Sequence, residues 1–329
     1  MHFIRRKKER LFRVQDKVLV NCMFQIQKYR NDGAITYNGP WFNNLILDVG
    51  LDALAVDCLG HSIGSLCGYV NVGDDNTDPA IGQTGLLSFV AATNTFYGTI
   101  SEGYSTDDPI HRWSQHTHEF AVGECTGNLT EVSLSKGSNS THFNRQLFKD
   151  EAGDPTTITV LEDEGLRITS RVYVYGDLQP GDTENSSFTL TTDSGDETIN
   201  VTREITSTTD WLEYNAAAGQ IAALGYSSDR YGAALTSSTT SFDVGGGTNP
   251  DTTSGLDYTT GDFYKDYEHT WNAGTFVGDI ESILMPYYPS LSSYQGEDFT
   301  AFRLNPAISL AETEEFRVTL RRAWGRYAA

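Results

Sequence analysis

The chain has 329 residues, 38% of them hydrophobic and only 20% charged, and a formal net charge of −21. That length exceeds the roughly 100–200 residues of a typical domain, so one large or two medium domains are expected. So acidic a body repels nucleic acid, and no apolar run reaches the roughly 18 residues of a spanning helix, so neither nucleic-acid binding nor membrane insertion is expected.

The charge is unevenly placed. Residues 1–30 hold nine Lys/Arg against Glu9 and Asp16, a net of +7 that leaves −28 for the rest. The opening "RRKKERLFR" could touch nucleic acid or membrane, but its plainer reading is a basic docking arm over residues 1–12 or a solvated terminus, and no secretion signal follows it. In "KVLVNCMFQIQK", Val18, Val20, Cys22, Phe24 and Ile26 alternate with polar residues, the period of a half-buried strand. "NNLILDVGLDALAV" predicts a short helix, capped by Asn44, carrying Leu47, Leu51 and Leu54 and weakened by Gly50. "CGYVNVG" is a short strand that "GDDNTDP" stops.

From residue 84 onward, short strand patterns and turn signals recur: "TGLLSFVAAT", "HTHEFAVGEC", "LTEVSLSKG" and "FNRQLF". "TTITVLEDEGLRITSRVYVYGD" predicts a hairpin turning at "EDEG", with Leu166, Ile168, Val172 and Val174 on one face and Arg167, Arg171 and Tyr173 facing away. "SSFTLTTD" and "ETINVTREI" predict a second hairpin. Asp210 and Glu213 form a capping box for a helix ending near Gly225, and the polar stretch 236–262 reads as a long loop or extended ribbon. Phe316, Val318 and Leu320 alternate with Arg317, Thr319 and Arg321 in a closing strand whose apolar side continues through Arg322 to Trp324. A charge there needs an acidic partner, a bulge or a neighbouring subunit.

The fold class that follows is mainly β: an antiparallel β-sandwich with a few short helices. The divisions are the basic arm 1–12, a sandwich over 13–178, an insertion region over 179–299 with a strand pair, one helix and the polar loop, and C-terminal strands 300–329 that complete the sandwich.

Chemistry is sparse. Cys22, Cys58, Cys67 and Cys125 show neither metal spacing nor a disulfide framework, which suits reduced thiols made in a cytoplasm. "GHSIGS" around Ser62 lacks the strand and helix of a nucleophile elbow, and "GDDNTDP" lacks the glycine and glutamate of a calcium loop. The acidic clusters Asp74–Asp75, Glu162–Glu164 and Asp262–Asp266 suit a glycosidase only if two carboxylates face a groove, and otherwise are turn residues. His116 and His118 share a strand face and are weak metal candidates, in a trimer through three pairs around one axis; the alternative is a polar strand face. No catalytic residue and no cofactor is expected.

The segment "FRLNPAISLAETEEFRVTLRRAWGR", through Phe302, Leu304, Pro306, Ile308 and Trp324 to Arg326, resembles the C-terminal pattern of tailed-bacteriophage virion proteins of the tail-fibre or tail-tip type. The order of "NLILDVGLDALAV", "YVNVGDDNTDPAIGQTGL", "LTEVSLSKGSNSTHFNRQLF" and "ITVLEDEGLRITSRVYVY" is similar to the same group, over residues 40–178 and 300–326. The resemblance implies a non-enzymatic homo-oligomer of the virion, made in the host bacterial cytoplasm and in contact with other tail proteins and possible host receptors. Its alternatives are a capsid decoration or neck protein and a polysaccharide-cleaving tail enzyme. Arg317, Arg322, Trp324 and Arg326 are the interface candidates, and Tyr264, Tyr267, Trp271, Tyr287 and Tyr288 the surface-recognition candidates, with packing against the sandwich as the alternative for these aromatics.

Overall fold

A computed structural model describes residues 11–57, 66–105, 109, 111–176, 182–192, 195–205, 234–237, 248, 250–286 and 299–327. The protein is mainly β. In chain order its elements are β1 (Leu11–Arg30), β2 (Ile35–Asn38), β3 (Phe42–Asn43), β4 (Leu45–Ile46), α1 (Asp48–Asp57), β5 (Tyr69–Gly73), β6 (Phe89–Thr93) and β7 (Ser101–Ser105). Then come β8 (His111–Phe120), β9 (Gly127–Leu129), β10 (Glu131–Gly137), β11 (Ser140–His142), β12 (Asn144–Leu147), β13 (Ile158–Val160) and β14 (Glu164–Gly176). After these come β15 (Thr183–Thr192), β16 (Gly195–Ile205), β17 (Ala234–Thr236), β18 (Thr252–Gly255), β19 (Tyr264–Trp271), β20 (Gly278–Pro286), β21 (Phe299–Leu310) and β22 (Phe316–Arg326).

One large sheet is the spine, with strands in the order β18-β19-β22-β1-β14-β8-β7 and β2 and β3 added on β1. Over one part of it lies the sheet β4-β12-β10-β5-β6. Their shared core takes Val20, Cys22, Phe24 and Ile26 from β1, Leu166, Ile168, Val172 and Val174 from β14, and Val70, Val72, Val132 and Leu134 from the facing sheet. Each such side chain, buried, contributes about 1.5–3 kcal/mol. A second core joins Phe316, Val318 and Trp271 of the spine to Ile199, Val201, Ile283, Phe302, Leu304 and Ile308, which come from the sheet β15-β16-β21-β20-β17. The protein is thus two sandwich-like layers sharing one sheet, and β22 serves both, since its Trp324 belongs to the first core.

Several expectations need correction. The spine is not wholly antiparallel: β22 runs parallel to β1, from Leu11 opposite Arg317 to Val20 opposite Arg326. This direction lets Phe316 reach the second core while Trp324 reaches α1. Residues 300–310 do not complete the first sandwich; β21 pairs with β16 and β20, because Phe302 and Leu304 have their apolar partners there. The strand expected over residues 17–28 is longer, from Leu11 to Arg30, and takes in the end of the segment expected as a basic arm. The hairpin expected at "EDEG" is a corner between sheets, β13 pairing with β9 and β14 with β1 and β8. Glu164 ties that corner by accepting the Leu161 N–H at 3.1 Å and donating its own N–H to Leu161 O at 3.0 Å. A 13-residue strand finds a long enough partner in β1, not in three-residue β13.

The β15–β16 hairpin is present. So is the early helix, although it begins at Asp48 and Asn44 does not cap it; the Asn44 side chain lies beside the Cys22 thiol. Gly50 has a packing reason, since a Cβ there would collide with the Phe143 carbonyl beneath the helix. Within the described part of 236–262, β18 pairs with β19 as a short ribbon, and the loop after it is anchored by Tyr258, which stacks on Trp324 and donates to Asp52 Oδ1 at 2.5 Å. The helix expected over 210–225 lies outside the described residues.

Candidate functional site

Because the even-numbered residues of β14 are committed to the core, Arg167, Thr169, Arg171, Tyr173 and Tyr175 stand on the outer face of the spine. Register places Gln115, Trp113 and His111 of β8 opposite Arg171, Tyr173 and Tyr175, with Met23, Asn21 and Leu19 of β1 on the other side. The face is aromatic and polar.

Arg171 is its centre. Its guanidinium lies 4.4 Å from the Trp113 ring centre and 4.9 Å from that of Trp41. Nε and one Nη donate to Gln115 Oε1 at 3.0 and 2.6 Å, and the other Nη donates to the Tyr173 hydroxyl at 3.4 Å. Trp113 lies over Gly103 of β7, where a Cβ would come within 2.5 Å of the indole, so glycine is what gives the ring its seat. Tyr173 stacks offset on Tyr175 at 6.0 Å, Tyr327 covers Tyr175 at 3.8 Å, and His111 leans on both β14 tyrosines. Burial, then the neighbouring Tyr173 and Tyr327, push the Tyr175 hydroxyl up to about 12.

Arg167, four residues away on the same face, differs. It lies over Tyr29 and Tyr97 but is paired with Glu119 at 2.7 Å. No carboxylate pairs with Arg171 among the described residues. A guanidinium that is walled by indoles, held by an amide and left with unused N–H donors is prepared for a carboxylate or another planar acceptor. Trp, Tyr and Arg are also the residues on which binding energy concentrates.

A second polar group is sealed inside. On the face of β5 and β10 turned away from the first core, Asn71, Glu131, Ser133 and Ser135 are fully buried, as is Arg145 of β12. Arg145 donates to Glu131 at 2.6 Å, to Gln83 Oε1 at 2.9 Å and to Thr77 O at 2.9 Å. Glu131 also accepts the N–H groups of Leu87 and Ser88. Ser133 Oγ lies 2.7 Å from His142 Nδ1, with Asn139 Oδ1 3.2 Å from the other ring nitrogen. Nucleophile and base are adjacent, yet Ser133 has no exposed surface, and burial lowers His142 to about 4, which makes it a poor base near neutrality. This arrangement pins residues 74–88 over the sheet.

His116 and His118 share one face as expected, but it is the inner face. His118 is wholly buried beneath Phe96, at 4.6 Å, and burial lowers it to about 4. Three such pairs therefore cannot meet on a molecular axis. Their Nδ1 atoms have no hydrogen-bond partner, and among the described residues no third His, Cys, Asp or Glu joins them. Burial likewise pushes the Cys22 and Cys125 thiols up to about 12, leaving them unreactive.

Of the interface candidates, Trp324 turns inward, and Arg317 and Arg326, each partly exposed, bond within the chain. Trp324 is buried, its Nε1 donating to Leu51 O at 2.8 Å; Arg326 donates to Ile46 O and pairs with Asp48; Arg317 pairs with Glu315 and Glu268. Arg322 stands in register between Asp16 and Lys265. Of the recognition candidates, Trp271 is core and donates to Thr248 O, Tyr267 is buried, and Tyr264 is half-buried beneath Arg321. Tyr287 and Tyr288 lie outside the described residues. Trp41, Trp113 and Tyr175 were not singled out, because only the tertiary fold brings the 41–43 segment and β8 beside β14. The one legible signal was Arg171 and Tyr173 on the outward side of an amphipathic strand.

The protein is mainly β, with an outer face on which Arg171, Trp41, Trp113 and the β14 tyrosines are held against one another. No family model, curated protein or solved structure matches the chain.

Proposed function

We propose that this is a non-enzymatic structural component of a bacteriophage tail, at its fibre, tip or baseplate, which holds neighbouring virion proteins and contributes to host attachment. The observation that carries the binding role is the outer face around Arg171, where an unneutralised guanidinium stands between two tryptophans in an acidic protein. Its contacts with Gln115 and Tyr173 hold it in one geometry before any partner arrives, which lowers the entropic cost of binding. The phage assignment draws on the sequence resemblance at both ends of the chain.

Gold-labelled antibody against the protein, applied to purified phage particles that carry it, tests the assignment. Label on the tail is expected, in a fixed number of positions. Label on the capsid or neck overturns the tail position. Cleavage of host polysaccharide by the purified protein, lost on replacing a single carboxylate, overturns the structural role. Arg171→Gln is expected to fold normally and to reduce incorporation into particles or adsorption to host cells.

A further inference from the structure

Two sheets end on the same stretch of chain. Among the described residues, β6 closes the smaller sheet of the first sandwich and pairs only with β5, and β7 closes the spine and pairs only with β8. Between them residues 95–97 follow β8, the Tyr97 N–H donating to Thr117 O and the Glu119 N–H to Thr95 O. One flank of the sandwich is therefore built from residues 87–105.

From Pro79 to Ser101 this stretch contains no charged residue, in a chain that is 20% charged. Leu87, Phe89, Val90, Phe96, Tyr97 and Ile100 stand along it, each 38–51% exposed. At about 150–250 Å² per large aromatic side chain, they bare on the order of several hundred Å², the scale of a functional patch. Open sheet edges are ordinarily blunted by lysine, proline or a covering element. The one such device in β6 is a bulge at Val90, where Phe89 and Ala91 pair with the adjacent residues Gly73 and Val72.

We propose that a second copy of this chain docks on this flank, edge against edge. Charge selects that occupant. Two copies at −21 repel wherever their acidic surfaces come within a Debye length, ~8 Å at physiological salt. Along residues 79–101 they approach without like charges: Arg167, over the Tyr97 ring at 3.6 Å, is neutralised by Glu119, the Glu102 carboxylate of β7 and the Glu131 carboxylate behind Leu87 and Ser88 are buried, and burial keeps the imidazoles under Phe96 neutral. A basic arm or an acidic peptide gains no ion pair from such a strip. Two patches face to face, with the main chain between them, clear the roughly 1,000 Å² of a specific interface. The same edge on both copies makes a two-fold contact. The inference stands independently of the tail assignment, and its test needs only the isolated protein.

Sedimentation velocity over a micromolar to submillimolar range, at physiological salt, decides it. The full chain is expected to associate with rising concentration. Phe89→Asp and Ile100→Lys, at exposed positions that leave the fold intact, are expected to weaken association at least tenfold. Val277→Lys and Leu256→Lys, equally exposed but elsewhere, should leave it unchanged. A protein monomeric throughout overturns the proposal. So does association that survives Phe89→Asp and Ile100→Lys together, and if Arg171→Gln then abolishes it, the copies meet through the outer face instead.

Discussion

Arg145 and Arg171 sit in one sandwich and serve opposite ends. Arg145 is fully buried, and Glu131, Gln83 and Thr77 take up its donors, with Asp75 3.6 Å away. Arg171 is half-buried on the outer face, with aromatic walls and an amide but no carboxylate. A guanidinium compensated on every side is used up in holding its own chain together. One that is positioned but uncompensated keeps its electrostatic energy for something else.

Removing each arginine gives the largest contrast. Arg145→Met strands the Glu131 carboxylate in a sealed layer and should cost about 3–5 kcal/mol in urea unfolding. Arg171→Met should cost under about 1 kcal/mol, as expected of a solvent-facing cation. The double variant Arg145→Met, Glu131→Leu should recover part of the loss, because the penalty is an unpaired charge and not a missing attraction; equal destabilisation by all three variants would erase the distinction between the two sites.

The second core supplies a loss of similar size without charge. Trp271→Ala should destabilise by about 3–5 kcal/mol through an unfilled cavity. If that variant instead kept full stability and lost only binding, Trp271 would belong with Arg171 and its burial would be misplaced.

Acid should act on the interior. His118, His142 and His269 are held neutral by burial, near 4, against an ordinary 6.5. The unfolded chain therefore binds protons that the fold refuses, and stability should fall as pH drops from 6.5 to 4, by on the order of 1–3 kcal/mol per ring. Glu164 extends the loss. Burial alone would raise it, but hydrogen bonds from Lys28, Thr36 and the Leu161 N–H bring it down to about 2, so its contribution, present above 4.5, disappears between 4.5 and 2. Unfolding midpoints followed across that range should show His142→Gln flattening the upper part of the decline.

The smallest expected effect lies at Gly103. Gly103→Ala pushes a Cβ into the Trp113 ring on the outer face, so stability should change by less than about 1 kcal/mol while the indole is displaced from Arg171. Tryptophan fluorescence should report the shift, and binding through the face should weaken with it.

Alternation alone was enough to find β1, β5, β14, the β15–β16 pair and β22, because a strand with one buried face writes its period into the chain. The buried faces were right residue by residue: Val20 to Ile26, Leu166 to Val174, Phe316 and Val318. Partners were not legible. Nothing in "EDEG" distinguishes a hairpin from a corner, since either needs a tight polar turn, and the choice fell to the long β1, available 130 residues upstream. Sequence left Trp324, on the apolar side of its strand, and Trp271 open between packing and contact with a partner; they are core because α1 and the second layer cover them.

Composition and period by themselves determined that the chain is strand-rich, acidic, lacking spaced cysteine motifs, and closed by a structural strand, since these follow from side-chain chemistry and the geometry of an extended backbone. Only the tertiary structure decided that β22 lies parallel to β1 between two cores, that Arg145 is spent inside and Arg171 left available outside, and that the uncharged stretch 79–101 forms an open flank. Each of those depends on which distant segments meet, and the free energy of meeting is shared between both segments, so neither stretch of sequence carries it alone.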